Sequence, residues 1–140
     1  MLGSNDKKPK QTAQIDSLIG QKSEIRGDVV FSGGLHIDGK VKGSVIAEEG
    51  GKESVLTLSD RGMIEGEVKV PNVVVNGTII GDVHAMTHIE VASKARIQGN
   101  VYYSLIEMAM GAEVNGTLVH KSDKSVVELK KRDEAVGGDT

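Results

Sequence analysis

The chain has no cysteine, no tryptophan, only two prolines and only three aromatic rings in 140 residues. Without cysteine there is no disulfide scaffold, no thiolate zinc site and no thiol nucleophile. No apolar run approaches the roughly 18 residues of a membrane-spanning helix, and no signal-peptide pattern opens the sequence. Three rings are few for a core, since each buries about 150–250 Å². Glycine, by contrast, is abundant at 18 residues, alongside 38% apolar and 26% charged residues. A single soluble domain follows, with a core of small aliphatic side chains.

The formal net charge of −3 is spread unevenly. Residues 1–14 carry +2 and residues 121–140 carry zero, so 15–120 carry −5. With no basic stripe and no set of stacking rings, direct nucleic-acid binding is not expected.

A repeat organises the middle of the chain. The pattern aliphatic, any, Gly, polar, aliphatic recurs at Gly27, Gly43, Gly66, Gly81, Gly99 and Gly116, a unit of about 17 residues. Residues 49–53 account for the one long spacing. Two before the glycine stand Ile25, Val41, Ile64, Ile79, Ile97 and Val114; two after it stand Val29, Val45, Val68, Val83, Val101 and Leu118. Eight before it stand Ile19, Leu35, Leu58, Val73, Val91 and Met108. Four before it every residue is tiny, and one after it every residue is polar. Segments 35–45 and 73–83 each carry an extra glycine, Gly39 and Gly77.

Alternation at period two marks strands with one buried face, and the β-branched columns agree. A 17-residue unit is too short for a propeller blade and fits one coil of a parallel β-helix. Six coils at about 4.8 Å each give a rod roughly 29 Å long. The expected organisation is a tail over 1–14, an all-β single-domain solenoid over 15–120, and a tail over 121–140, both tails disordered. Such a coil is too narrow for rings, which accounts for their scarcity.

Each coil bonds only to its neighbours, so the terminal coils present open strand edges. The residues expected to make end-to-end contacts are Ile19, Val29 and Phe31 in the first coil and Ile106, Met108, Met110 and Leu118 in the last. Ile106, Met108, Met110, Val114 and Leu118 are read as inward-facing. The C-terminal tail offers only Val126, Val127 and Leu129 as apolar cover.

Catalytic readings are weaker. The histidines His36, His84, His88 and His120 share no column, whereas a catalytic zinc site needs about three converging ligands. The rival is a left-handed β-helix trimeric enzyme, an acyltransferase or a zinc-dependent carbonic anhydrase-like protein. A trace of its six-residue period exists, but the glycine follows the aliphatic by two and the coil is 17 residues. The pairs Glu48–Glu49 and Glu65/Glu67 read as exposed charges, and Gly33–Gly34 and Gly50–Gly51 as turns without the ending of a phosphate loop. No catalytic residue, cofactor or metal is expected.

The six glycine-punctuated coils flanked by polar tails resemble the bactofilins, bacterial cytoskeletal proteins, over roughly 15–120. The resemblance implies a right-handed parallel β-helix that polymerises end to end without nucleotide. It implies a cytoplasmic scaffold for cell shape, polar organisation or chromosome positioning, with itself as partner and cell-wall enzymes or other cytoskeletal proteins as clients. Some members hold the inner face of the cytoplasmic membrane through a short apolar N-terminal stretch. Met1, Leu2 and Gly3 stand at the matching positions here, with Lys7 and Lys8 beside them to face anionic lipid. Burying Met1 and Leu2 contributes at most about 1.5–3 kcal/mol each, and a lysine near the surface about 1 kcal/mol. One tail binds transiently, and many tails on one filament bind through avidity.

Overall fold

The computed structural model describes residues 15–48 and 53–121, and among them there is no helix. The chain winds through six coils of three strands. The first coil is β1 (Ser17–Ile19), β2 (Glu24–Arg26) and β3 (Val29–Phe31); the second is β4 (Gly34–Ile37), β5 (Lys40–Lys42) and β6 (Val45–Ala47). The third is β7 (Val55–Leu58), β8 (Met63–Glu65) and β9 (Val68–Lys69); the fourth is β10 (Asn72–Val75), β11 (Thr78–Ile80) and β12 (Val83–Ala85). The fifth is β13 (His88–Val91), β14 (Arg96–Gln98) and β15 (Val101–Tyr103); the sixth is β16 (Ile106–Met108), β17 (Glu113–Asn115) and β18 (Leu118–His120). Each strand pairs in parallel with the one three places on, which makes three six-stranded sheets. Sheet 1 runs β1 to β16, sheet 2 runs β2 to β17 and sheet 3 runs β3 to β18.

Strands of two to four residues suffice because every sheet side is one or two inward side chains wide. The columns two before and two after the repeat glycine stack in register, Ile64 on Val41 and Val68 on Val45, for example. In the inner coils these side chains are fully buried, Ile79, Val83, Ile97 and Val101 among them. Burying each such side chain contributes about 1.5–3 kcal/mol, so the core is a set of ladders and no single residue dominates it.

The column counted eight before the glycine is not one column. Ile19 pairs with Ile37, Ile37 with Leu58, Leu58 with Val75, and Val75 with Val91. Leu35 and Val73 belong to the neighbouring column, with Leu56, Ile89 and Ile106. The reason lies at the corner between sheets 1 and 2. There Asp38 and Gly39, or Asn76 and Gly77, do the work that residues 20–23 or 59–62 do in other coils. A corner shorter by two shifts the count by two but preserves which side chains face inward, so the pattern stays apolar.

The repeat glycine stands where successive coils touch backbone to backbone. A Cβ on Gly81 would meet the carbonyl oxygen of Gly66, and the same contact recurs at Gly43, Gly66, Gly99 and Gly116. Gly81 also has φ +146°, which side-chain-bearing residues rarely adopt. The polar residue after it caps the next coil. Asp28 Oδ1 accepts from the Ser44 N–H at 2.9 Å, Asp82 Oδ1 from Asn100 N–H at 3.0 Å, and Asn100 Oδ1 from Thr117 N–H at 3.0 Å.

Candidate functional site

The stacking that buries the inner coils stops at both ends. Each sheet ends on a first-coil strand at one side and a last-coil strand at the other, and among the described residues no strand lies beyond either edge. Val101 is 0% exposed and Leu118, next in its column, is 42% exposed. The difference is the cover that a further coil would supply. Ile25, Val29, Ile106 and Val114 are likewise only half-buried, while Val41, Val45, Ile89 and Ile97 in the same columns are fully buried. Parallel strands bond to neighbours on both sides, so the outer edges keep backbone groups that face away from the molecule.

The residues expected at the ends are placed differently from one another. Ile19 and Phe31 are already buried within the chain, each 8% exposed. Met108 and Leu118 are open at the last coil. Met110 is 86% exposed and lies in the corner between β16 and β17, so it is not an inward-facing residue. It follows Ala109, whose N–H donates to Val91 O, and its position is the solvent-side corner occupied by Ser93 one coil earlier. Met1, Leu2, Gly3, Lys7 and Lys8 lie outside the described residues, as do Val126, Val127 and Leu129.

Sequence reasoning missed a second set of end residues. Ile15, Leu18, Val30 and Leu105 are exposed, all at or beside the terminal coils. The columns themselves give only a weak signal: Leu18 shares its column with His36, Thr57, Val74 and Glu90, and Val30 with Ile46, Lys69, His84 and Tyr102, so outward positions carry polar and apolar residues alike. Apolar residues at outward positions of a terminal coil widen the apolar end beyond the core columns.

Ion pairs line the outward faces without converging. Glu24 accepts from Arg26 Nε at 3.0 Å and lies 3.7 Å from Lys42 Nζ. The Arg26 hydrogen bond, helped by the charges of Arg26, Lys42 and Lys40, holds the Glu24 carboxyl below its ordinary value against a smaller effect of burial. The Asp38 carboxyl is lowered chiefly by a hydrogen bond from Ser59, with His36 adding to it. The four histidines fall in four columns, each with its own partner. His36 lies 3.1 Å from Asp38, His88 3.4 Å from Glu107, and His120 edge-on to Tyr103. His84 stacks on Tyr102 with ring centroids 4.6 Å apart, and Lys121 lies 5.4 Å from the same tyrosine ring. Among the described residues no three histidine or acidic side chains gather as metal ligands would.

The fold belongs to the class of parallel β-solenoids, and among the described residues both of its ends leave strand edges and apolar side chains uncovered. A sequence model described as "Bactofilin: Polymer-forming cytoskeletal" matches residues 17–119, which cover the whole solenoid except its last residue. The chain belongs to the bactofilin family, a structural family of polymer-forming cytoskeletal proteins. It is 26% identical over 109 residues to Bactofilin BacO of Myxococcus xanthus (strain DK1622), covering 78% of this chain and 82% of that protein. No solved structure gives a significant match.

Proposed function

We propose that this chain is a filament subunit whose activity is its own end-to-end assembly, driven by burial of the terminal coils and without nucleotide. The observation that carries the reading is the change along single columns, from fully buried inner coils to an exposed Leu118 and Met108 and a half-buried Val29. Stacking a second chain on either end would bury those residues and engage the free strand edges together, so hydrophobic contact and backbone pairing favour the same geometry. In this reading the filament acts in the cytoplasm as a scaffold for cell shape, with cell-wall enzymes or other cytoskeletal proteins as clients. Met1, Leu2, Gly3, Lys7 and Lys8 add weak contacts to the inner face of the cytoplasmic membrane, multiplied along the filament.

The test is Leu118→Arg combined with Leu18→Arg, both at exposed positions. Phe31 is unsuitable because it is buried and its loss would test folding. The double variant is expected to stay folded, by its β circular dichroism, and to remain monomeric in sedimentation. Filaments in negative-stain micrographs of the folded variant would sink end stacking. Removing residues 1–8 is expected to abolish co-sedimentation with anionic liposomes while leaving filaments intact.

A further inference from the structure

One outward column differs from the rest of the rod's surface. On sheet 3 the side chains that point away from the core are Val30, Ile46, Lys69, His84, Tyr102 and Val119, in register from the first coil to the last. Val30 is 60% exposed, Lys69 is exposed and the other four are half-buried. His84 and Tyr102 stack along the column with ring planes 7° apart. Lys69 is the one cationic side chain in it. Sheet 2, by contrast, turns Arg26, Lys42 and Glu65 outward in consecutive coils, and sheet 1 turns Glu90 and Glu107 outward. A continuous stripe with so little charge, running the length of a solvent-facing sheet, is the kind of surface a partner covers.

The order of the column selects the partner. When a second copy is laid on it face to face and antiparallel, Val30 meets Val119, Ile46 meets Tyr102, and Lys69 meets His84. Each aliphatic side chain then faces an aliphatic or aromatic one. Each lysine faces the ring stack, a contact the chain already makes with Lys121, whose Nζ lies 5.4 Å from the Tyr102 ring. The flank toward sheet 2 brings Glu67 against Asp82 of the second copy. Lys69, with its Nζ 3.6 Å from Glu67, stands between those two carboxylates and screens them on both sides of the two-fold axis. Parallel packing in register would instead set Lys69 on Lys69, and like charges face to face are costly.

We propose that the outward face of sheet 3 is a lateral interface between two copies of this chain packed antiparallel, with Ile46 of each against Tyr102 of the other. One chain offers a stripe roughly 29 Å long and about 10 Å wide. That is well under the ~800 Å² per partner of a stable complex, so two isolated chains pair weakly. Subunits joined end to end repeat the stripe, and many weak contacts then hold two polymers side by side. That strengthening rests on the end-stacking reading above; the face and its antiparallel sense do not.

The absence of native cysteine makes the test direct. Packed sheets lie about 10 Å apart, a gap that a short bismaleimide can bridge between two thiols. Full-length Ile46→Cys and Tyr102→Cys chains are treated with that reagent separately and as a mixture. Both positions lie in inner coils, so end stacking alone does not bring them together. The mixture is expected to give several-fold more crosslinked pairs than either variant alone; equal yields overturn the antiparallel interface. Ile46→Glu, an outward substitution that spares the core, is expected to leave the sedimented fraction unchanged and to turn paired filaments into single ones in negative-stain micrographs. Paired filaments that survive it overturn the proposal. So do native polymers one subunit wide, or an Ile46→Glu variant that loses liposome binding while keeping its width, and these outcomes assign the stripe to another protein or to lipid. If the native chain forms no polymer, end stacking is what has failed, and crosslinking of concentrated single chains still decides the face.

Discussion

Gly27 and Gly81 share a column and differ in what lies beneath them. Both have left-handed backbones, φ +136° and +146°. A Cβ on Gly27 meets nothing within 4 Å, whereas one on Gly81 lands on the Gly66 carbonyl. Gly27→Ala is therefore expected to cost only the backbone term, about 1–2 kcal/mol. Gly81→Ala adds a clash that the coils must open to relieve, for a loss on the order of 3 kcal/mol or more. Urea midpoints of the two variants decide it, and equal losses would show that close stacking is not what the glycine serves. Asp38 gives a pH counterpart. Its carboxyl is lowered mainly by Ser59 and then by His36, so its charged form is favoured by folding. That stability is present above the ordinary carboxylate value near 3.8 and disappears as pH falls through the lowered value. The gap in stability between the native chain and Asp38→Asn should accordingly close on the acid side; a gap independent of pH would remove Asp38 from the account.

At the scale of strands and corners, parity is what the chain preserves. Corners from sheet 1 to sheet 2 hold either residues such as 59–62 or a pair such as Asn76 and Gly77, lengths that differ by two. Inserting two residues after Gly77 is expected to be tolerated within about 1 kcal/mol, because loop closure changes slowly with length. One inserted residue sets the corner against the inward alternation of β11 and should cost clearly more. A milder single insertion would show that corner length is free. The same corners explain what could be read from residues alone. Columns counted from the repeat glycine across β2 and β3 were legible because no corner of variable length intervenes between Ile25 and Val29. The β1 column crosses the variable corner, so Leu35 and Val73 were counted where Ile37 and Val75 stand. The end residues were legible only in part. A column reports which residues face inward, but Met110 sits in a corner, and Leu18 and Val30 face outward at the ends, where alternation carries no information about neighbours.

At the scale of the whole molecule, a solenoid's stability is a sum over coils and their contacts, with the terminal coils each lacking one contact. Substitutions in the same column should then divide into two kinds. Ile79 is fully buried between Ile64 and Ile97, so Ile79→Ala is expected to cost the isolated chain about 2–5 kcal/mol. Among the described residues Leu118 has a column neighbour on one side only, and it is 42% exposed, so Leu118→Ala should cost the isolated chain much less, about 1 kcal/mol. In a polymer the ranking changes, because Leu118 becomes an interior residue while Ile79 gains nothing new. Leu118→Ala is thus expected to raise the critical concentration severalfold, whereas Ile79→Ala, held below its unfolding temperature, leaves it near the native value. Denaturant titration of dilute protein gives the first quantity and sedimentation across a concentration series gives the second. If both substitutions shift the two quantities in the same proportion, assembly merely follows folding, and the open ends of the coil are not where chains meet.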